Sequence, residues 1–147
     1  MNNAPQHLGA QPMYVVNASD LKGMTGTIVD AVFKLHVGLG PGLIESVYQS
    51  ILARDLARRG LHVETERVIA FEYDGMRFDS GLRVDMLIEH SIVVELKSVE
   101  QLSPVHPKQL LTYLRLLRLP LGLLINFGAA RLKDGIRRIA NGYPAHP

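Results

Sequence analysis

Hydrophobic residues recur at helical spacing in the first third of the chain. From about Thr25 they fall on one face at intervals of three or four residues, which predicts an amphipathic helix. Glycines around Pro41 interrupt this pattern, and a second helix then runs to Gly60. Residues 1–22 show little periodicity and are rich in Asn, Gln and Pro, so we expect them to form a flexible arm.

The middle of the chain carries apolar, β-branched runs that are typical of strands. Residues 63–73 form the first run, and Asp74-Gly75 after it is a signal for a hairpin turn. A short return leads into residues 81–89 and then into residues 91–99, which have the character of two further strands. Together these runs predict a β-meander.

The last third of the chain returns to helical spacing, with one exception. Residues 103–117 predict a leucine-rich third helix, and residues 132–140 predict a final amphipathic helix. Between them, residues 121–127 form a short continuous apolar run, which is typical of a central strand. The predicted order is α-α-β-β-β-α-β-α, in a single α/β domain of residues 23–147.

Composition narrows the class of protein. A chain of 147 residues is long enough for one hydrophobic core, and without cysteine it has no disulfide, thiolate zinc site or cysteine nucleophile. No secretory signal is evident, and the longest apolar stretch is too short to span a bilayer. We therefore expect a cytoplasmic protein without membrane contact. Six histidines are scattered along the sequence, with no pair at metal-ligand spacing: His7, His36, His62, His90, His106 and His146.

Charged residues interrupt two of the predicted strands. Glu95 and Lys97 lie in the apolar run 91–99, and strand alternation places both side chains on one face. If the preceding strand pairs antiparallel, Asp85 lies opposite Glu95 and residues 89–91 form the hairpin loop. Buried charges are costly unless they are paired or bind a cation. This set can hold a divalent metal beside an ammonium, as phosphodiester hydrolysis requires; the alternative is a salt bridge between Lys97 and one acid.

Charge is distributed unevenly along the chain. Residues 106–147 hold seven basic residues and one acid, whereas the net charge of the whole chain is only +2. A basic C-terminal third beside an acidic pocket suits a polyanion, although a solvated helix face explains the charges equally well. The candidates to contact a nucleic-acid backbone, without sequence specificity, are Lys108, Arg115, Lys133, Arg137 and Arg138.

Two further sets of polar residues are ambiguous from spacing alone. Glu45 and Tyr48 are neighbours on one helical face, and the helix dipole favours Glu45 near the N-terminus whether or not it binds a metal. Gln109 and Tyr113 share a face of the third helix, where they either line a pocket or form solvated surface. A resemblance to known proteins favours the functional alternative in each case.

Gly42-x-x-Glu45-x-x-Tyr48 resembles the signature of the GxxExxY family, which is similar to the PD-(D/E)XK nuclease superfamily. The resemblance extends from about Thr25 to Gly142. It implies a mixed central sheet flanked by helices, with a core in the order α-β-β-β-α-β. Val84 stands where the superfamily motif has a proline. The supporting segments are His36-x-x-Leu39-Gly40-Pro41-Gly42, Asp85, Val94-Glu95-Leu96-Lys97, Pro104-Val105-His106, Gln109-Leu110-Leu111-Thr112-Tyr113-Leu114, Gly122-Leu123-Leu124-Ile125-Asn126-Phe127 and Leu132-Lys133-Asp134-Gly135-Ile136-Arg137-Arg138.

The resemblance also implies roles for individual residues. Lys97 matches the motif lysine, which would orient the attacking water or offset charge in the transition state. Gln109 and Tyr113 match a Gln-x-x-x-Tyr pattern that would position substrate or water. Hard oxygen ligands suit Mg²⁺, with Mn²⁺ as the alternative. The expected metal ligands are Glu45, Asp85, Glu95 and the backbone carbonyl of Leu96.

Three hypotheses about function follow. The first is a metal-dependent nuclease that hydrolyses phosphodiester bonds of DNA or RNA, with a homodimer as a further expectation. The second is a nucleic-acid- or protein-binding module that keeps the nuclease fold without turnover. The third is a purely structural interaction protein, which predicts no stabilisation by a divalent metal.

Overall fold

A computed structural model describes residues 18–142, which form a mixed five-stranded sheet with helices on both faces. In chain order the elements are α1 Ala18–Leu39, α2 Glu45–Arg58, β1 Val63–Tyr73, β2 Met76–Ile88, β3 Ile92–Lys97, α3 Val105–Leu117, β4 Leu121–Asn126, a 3₁₀ turn Leu132–Asp134 and β5 Ile136–Ala140. The strands lie side by side in chain order. Neighbouring strands are antiparallel, except for the parallel pair β3 and β4. The predicted α/β class is therefore confirmed.

Two hydrophobic cores cover opposite faces of this sheet. One contains apolar residues of α1 and α2 together with Leu96, and the other contains apolar residues of α3 together with Val93. Because alternate residues of a strand share a face, the position of Val93 places Glu95 and Lys97 on the side of α3. Both charged side chains are only partly buried, since they lie towards the end of β3.

Helix α1 begins at Ala18, earlier than the start near Thr25 that periodicity predicted. Residues 18–22 are therefore helical and do not belong to the predicted flexible arm. Leu21 supplies the reason, because it is buried and continues the apolar stripe of α1 into the core. Residues 1–17 of the predicted arm lie outside the described range. Within that range, no helix is both long and apolar enough to cross a membrane.

The predicted final helix is wrong. Residues 132–140 form a 3₁₀ turn followed by β5, which pairs antiparallel with β4. Ile136 and Ile139 are three residues apart, a spacing typical of one helical face; on a strand, the same odd spacing puts them on opposite faces. Each isoleucine packs against a different core. Arg137 and Arg138 consequently lie exposed on an edge strand.

Candidate functional site

Asp85 and Glu95 face each other at the end of the hairpin formed by β2 and β3. The strands pair antiparallel through Met86↔Val94 and Ile88↔Ile92, so the predicted register and the three-residue loop are confirmed. Beyond Met86, hydrogen bonds from backbone N–H groups to side-chain carboxylates replace the backbone pairing of the two strands. The backbone N–H of Asp85 donates to Oε1 of Glu95 at 3.1 Å, and the N–H of Leu96 donates to Oδ2 of Asp85 at 2.8 Å.

A local irregularity of the sheet frees Asp85 for these contacts. Val84 packs in the core beneath α3, whereas Met86 packs in the core beneath α1 and α2, although residues two apart on a regular strand share a face. On β1, Thr65 pairs with Met86 and Arg67 pairs with Val84. Glu66, which lies between them, has a positive φ of 51°. Irregularities of this kind redirect side chains and end pairing. Here the irregularity turns Asp85 towards β3.

The electrostatics of this pair are unusual. Burial, followed by repulsion from Asp85, raises the pKa of Glu95 to about 8. A side-chain hydrogen bond with Asp85 raises the pKa further, since it needs the neutral form of Glu95, while the N–H of Asp85 and the charge of Lys97 lower it. Two carboxyl groups that cannot both ionise readily are typical of a site that receives a proton or a cation.

Lys97 lies two residues after Glu95, at the end of β3. Its carbonyl accepts a hydrogen bond from the N–H of Phe127 at 2.8 Å, and its backbone pairs with Asn126 of β4. Among the described residues, no ion pair joins its ammonium to Asp85 or Glu95. The alternative of a structural salt bridge is therefore not observed. The ammonium acts on Glu95 only through the longer-range attraction that lowers its pKa.

Glu45 is the first residue of α2 and is exposed. It lines a cleft of about 720 Å³ together with Ser98 and Glu100, directly beyond the end of β3. In the described part of the chain, Glu45, Asp85 and Glu95 are not gathered at metal-binding separations as a set of three. Glu45 thus lies beside the end of β3, and its role as a metal ligand stays a proposal.

Tyr48 has a structural position rather than one in the site. It is fully buried, and its ring stacks on Phe127 with 4.2 Å between centroids. Its hydroxyl donates to the carbonyl of Gly40 at 2.6 Å and accepts from the N–H of Leu43 at 3.2 Å. Gly40 and Gly42 both have positive φ, which explains why glycine stands at these turn positions. Tyr48 therefore fixes the loop that begins α2 and carries Glu45.

Asn126 is a residue whose importance periodicity did not reveal. Its buried side-chain amide accepts from the N–H groups of Val99 and Gly128, both at 3.0 Å, and donates to the carbonyl of Val99 at 2.8 Å. A side chain at Gly128 would collide with Val99, since a Cβ there would lie 2.2 Å from its carbonyl oxygen. These contacts hold the segment that follows Lys97. The available signal was a polar residue ending an otherwise apolar strand.

The remaining predicted site residues lie on α3 and near β5. Gln109 donates from Nε2 to the hydroxyl of Tyr113 at 2.8 Å, so the two form a pair on the sheet side that carries Glu95. Helix α3 also contacts β5. The five basic residues predicted to contact nucleic acid are all exposed and lie on α3, in the 3₁₀ turn or on β5: Lys108, Arg115, Lys133, Arg137 and Arg138.

The expectation of scattered histidines is wrong for one pair. His62 and His90 meet at the other end of the β2–β3 hairpin, where their rings stack with 4.8 Å between centroids. Glu64 joins them, and one ligand atom from each residue lies within 4.8 Å of the others. Chain pairing that places Val63 opposite Ile88 brings the two histidines together, which linear spacing could not indicate.

The described residues thus form an α/β domain in which two acids and a lysine lie at the ends of adjacent strands. The profile of the PD-(D/E)XK nuclease superfamily matches residues 22–139. The chain belongs to this superfamily, and membership indicates a nuclease. Comparison with curated proteins gives no match, and neither does comparison with solved structures.

Proposed function

We propose that this protein is a metal-dependent nuclease of the GxxExxY type, which hydrolyses phosphodiester bonds of nucleic acid. The observation that carries the proposal is the contact between Asp85 and Glu95, with the pKa of Glu95 raised to about 8. A fold gains no stability from two partly buried carboxyl groups that repel each other. Such a pair is expected where a cation relieves the repulsion.

The donor set fits a hard divalent cation. Asp85 uses Oδ2, and Glu95 uses Oε1, to accept a backbone hydrogen bond, which orients each carboxylate and leaves a second oxygen on each. Oxygen ligands of this kind suit Mg²⁺ or Mn²⁺. Glu45 and the carbonyl of Leu96 are the proposed additional ligands. When bound, the cation supplies charge stabilisation at the phosphate.

Lys97 is the proposed catalytic cation of the protein itself. It follows Glu95 on the same strand face, and it makes no ion pair with either acid that would occupy it. An ammonium so placed is available to orient the attacking water or to offset negative charge in the transition state. The hydrogen-bonded pair Gln109 and Tyr113 would position substrate or water from α3.

Basic side chains lie on α3 and along the sheet edge next to it. Lys108 and Arg115 lie on α3, while Arg137 and Arg138 lie on β5, which contacts α3. Lys133 lies in the 3₁₀ turn just before β5. We propose that these residues hold the phosphate backbone, a role that gives affinity without sequence specificity.

The decisive experiment compares wild type and Glu95→Gln on single- and double-stranded DNA and RNA, with Mg²⁺ and with Mn²⁺. Glu72→Gln is the matched control, since Glu72 is exposed on β1 and the same atoms change. We expect cleavage by wild type and by the control, and loss of cleavage in Glu95→Gln. Wild-type protein that binds nucleic acid in a gel-shift assay but cleaves none of the substrates would support the binding module instead.

A further inference from the structure

Two histidines and a glutamate converge where β1 begins and the hairpin β2–β3 turns. Nε2 of His62 lies 3.1 Å from Oε1 of Glu64, and Nδ1 of His90 lies 3.7 Å from the same oxygen. The ligand atoms of all three residues lie within 4.8 Å of one another. The cluster is partly exposed, with His62 the most accessible and Glu64 the least.

The backbone around this cluster holds the histidines in place. The N–H of Glu89 donates to the carbonyl of His62 at 2.9 Å, and the N–H of His62 donates to Oε1 of Glu89 at 2.8 Å. Glu89 and His90 have positive φ values of 51° and 53°, a left-handed conformation that is uncommon for residues other than glycine. This turn projects His90 over the start of β1.

Glu64 is also oriented from its other side. Its Oε2 lies 2.8 Å from the guanidinium of Arg67, a contact that directs Oε1 towards the histidines. The same Oε2 is buried and has no hydrogen bond of good geometry. Arg67 therefore attracts Oε2 by its positive charge rather than through a well-aligned hydrogen bond. An outer partner of this type fixes a carboxylate that ligates a metal.

Two of the three ligand-atom separations are close to those in a tetrahedral zinc site, and the third, between the two histidines, is no longer than 4.8 Å. With bonds of about 2.0 Å and tetrahedral angles, two ligand atoms of one Zn²⁺ lie about 3.3 Å apart. The two contacts to Glu64, at 3.1 and 3.7 Å, bracket this value. Two imidazoles and one carboxylate form a donor set that zinc binds in proteins, with the fourth position left open.

We propose that His62, Glu64 and His90 form a transition-metal site that binds Zn²⁺ and ties β1 to the β2–β3 turn. The site is separate from the Asp85–Glu95 pair in place and in chemistry. Glu95 lies roughly 10 Å along β3 from Ile92, at about 3.3 Å per residue. Nitrogen ligands select zinc over magnesium, whereas the all-oxygen donors near Glu95 favour the harder ion.

The test is calorimetric titration of the full chain with ZnCl₂, for wild type, His62→Gln and His90→Gln. Removal of a ligand should weaken zinc binding by at least about tenfold, because mutation of a residue that only orients a ligand already has an effect of this size. Because both side chains are partly exposed, the metal-free melting temperature in EDTA should stay close to that of wild type. Zinc should raise the melting temperature of wild type more than that of either variant.

Two matched controls separate this site from others. His106→Gln changes a histidine whose ring accepts a hydrogen bond from Ser103 before α3, and Glu95→Gln changes the nuclease acid. Both controls should retain the zinc affinity that the two cluster variants lose. Wild-type zinc affinity in both cluster variants, or no zinc binding by wild type, would overturn the proposal. The cluster would then be explained by hydrogen bonds between the histidines and Glu64 alone. If one variant fails to fold, the other carries the comparison.

Discussion

Asp85 donates its backbone N–H to Oε1 of Glu95, while its own Oδ2 accepts the N–H of Leu96. Each carboxylate is therefore fixed by the backbone of the opposite strand, in the position that a further ladder pair would occupy. The two carboxyl groups cannot separate without breaking these hydrogen bonds. Ionisation of both groups at once is therefore unfavourable, which contributes to the raised pKa of Glu95, and the first two predictions depend on it.

Binding of Mg²⁺ should release a proton at neutral pH. With a pKa of about 8, Glu95 is mostly protonated at pH 7 in the absence of metal, and a ligand must be deprotonated. We expect release of up to about one proton per cation, and an affinity that rises with pH until Glu95 ionises. Calorimetry in buffers of different ionisation enthalpy measures the proton count. A count of zero at pH 7 would remove Glu95 as a protonated ligand.

The stability of the metal-free protein should fall as the pH rises. The pKa of Glu95 is about 8 in the folded state and 4.5 as its ordinary value, so the folded state holds the proton more tightly. This contribution is fully present below about pH 4.5 and is lost as the pH rises towards 8. Urea unfolding in EDTA at several pH values should show the decline in wild type and in Glu72→Gln. Glu95→Gln should flatten it, because glutamine has no proton to lose.

Lys97→Met should separate catalysis from metal binding. Methionine keeps much of the apolar stem of Lys97 but removes the ammonium, which forms no ion pair with the two acids. We expect a strong loss of turnover, on the order of 100-fold or more by comparison with removal of a transition-state donor. The Mg²⁺-induced rise in melting temperature should remain, whereas Glu95→Gln should weaken both. Wild-type turnover in Lys97→Met would remove the catalytic role of Lys97.

Tyr48→Phe should destabilise the fold, because Tyr48 holds the loop that begins α2. The change leaves the ring stacked on Phe127 but removes the hydroxyl that accepts from Leu43 and donates to Gly40. Loss of these partly buried hydrogen bonds costs about 1–3 kcal/mol in the free energy of unfolding. Urea denaturation measures it, with Tyr113→Phe as the control because the hydroxyl of Tyr113 takes part only in an exposed hydrogen bond with Gln109. Equal effects in the two variants would contradict the structural role of Tyr48.

Local sequence patterns were sufficient to predict the structure where a helix or strand buries one of its faces. The period-two alternation around Glu95 fixed both its face and the register of the hairpin, because a slip of one residue would bury the wrong side chains. The helices α2 and α3 follow from apolar stripes of period 3.6 in the same way. These features depend on contacts near in sequence, so the sequence predicted them.

Where neighbours distant in sequence decide the outcome, local patterns failed or were silent. The spacing of Ile136 and Ile139 fits a helix and a two-sided strand alike, and only the free edge of β4 selects the strand. His62 and His90 approach because β1 pairs with β2 next to a tight turn. The raised pKa of Glu95 likewise needs burial and the nearby charge of Asp85. The sequence by itself determined which residues are the candidates for the chemistry, and tertiary packing decided how close they lie, since separation and burial set the strength of charge interactions.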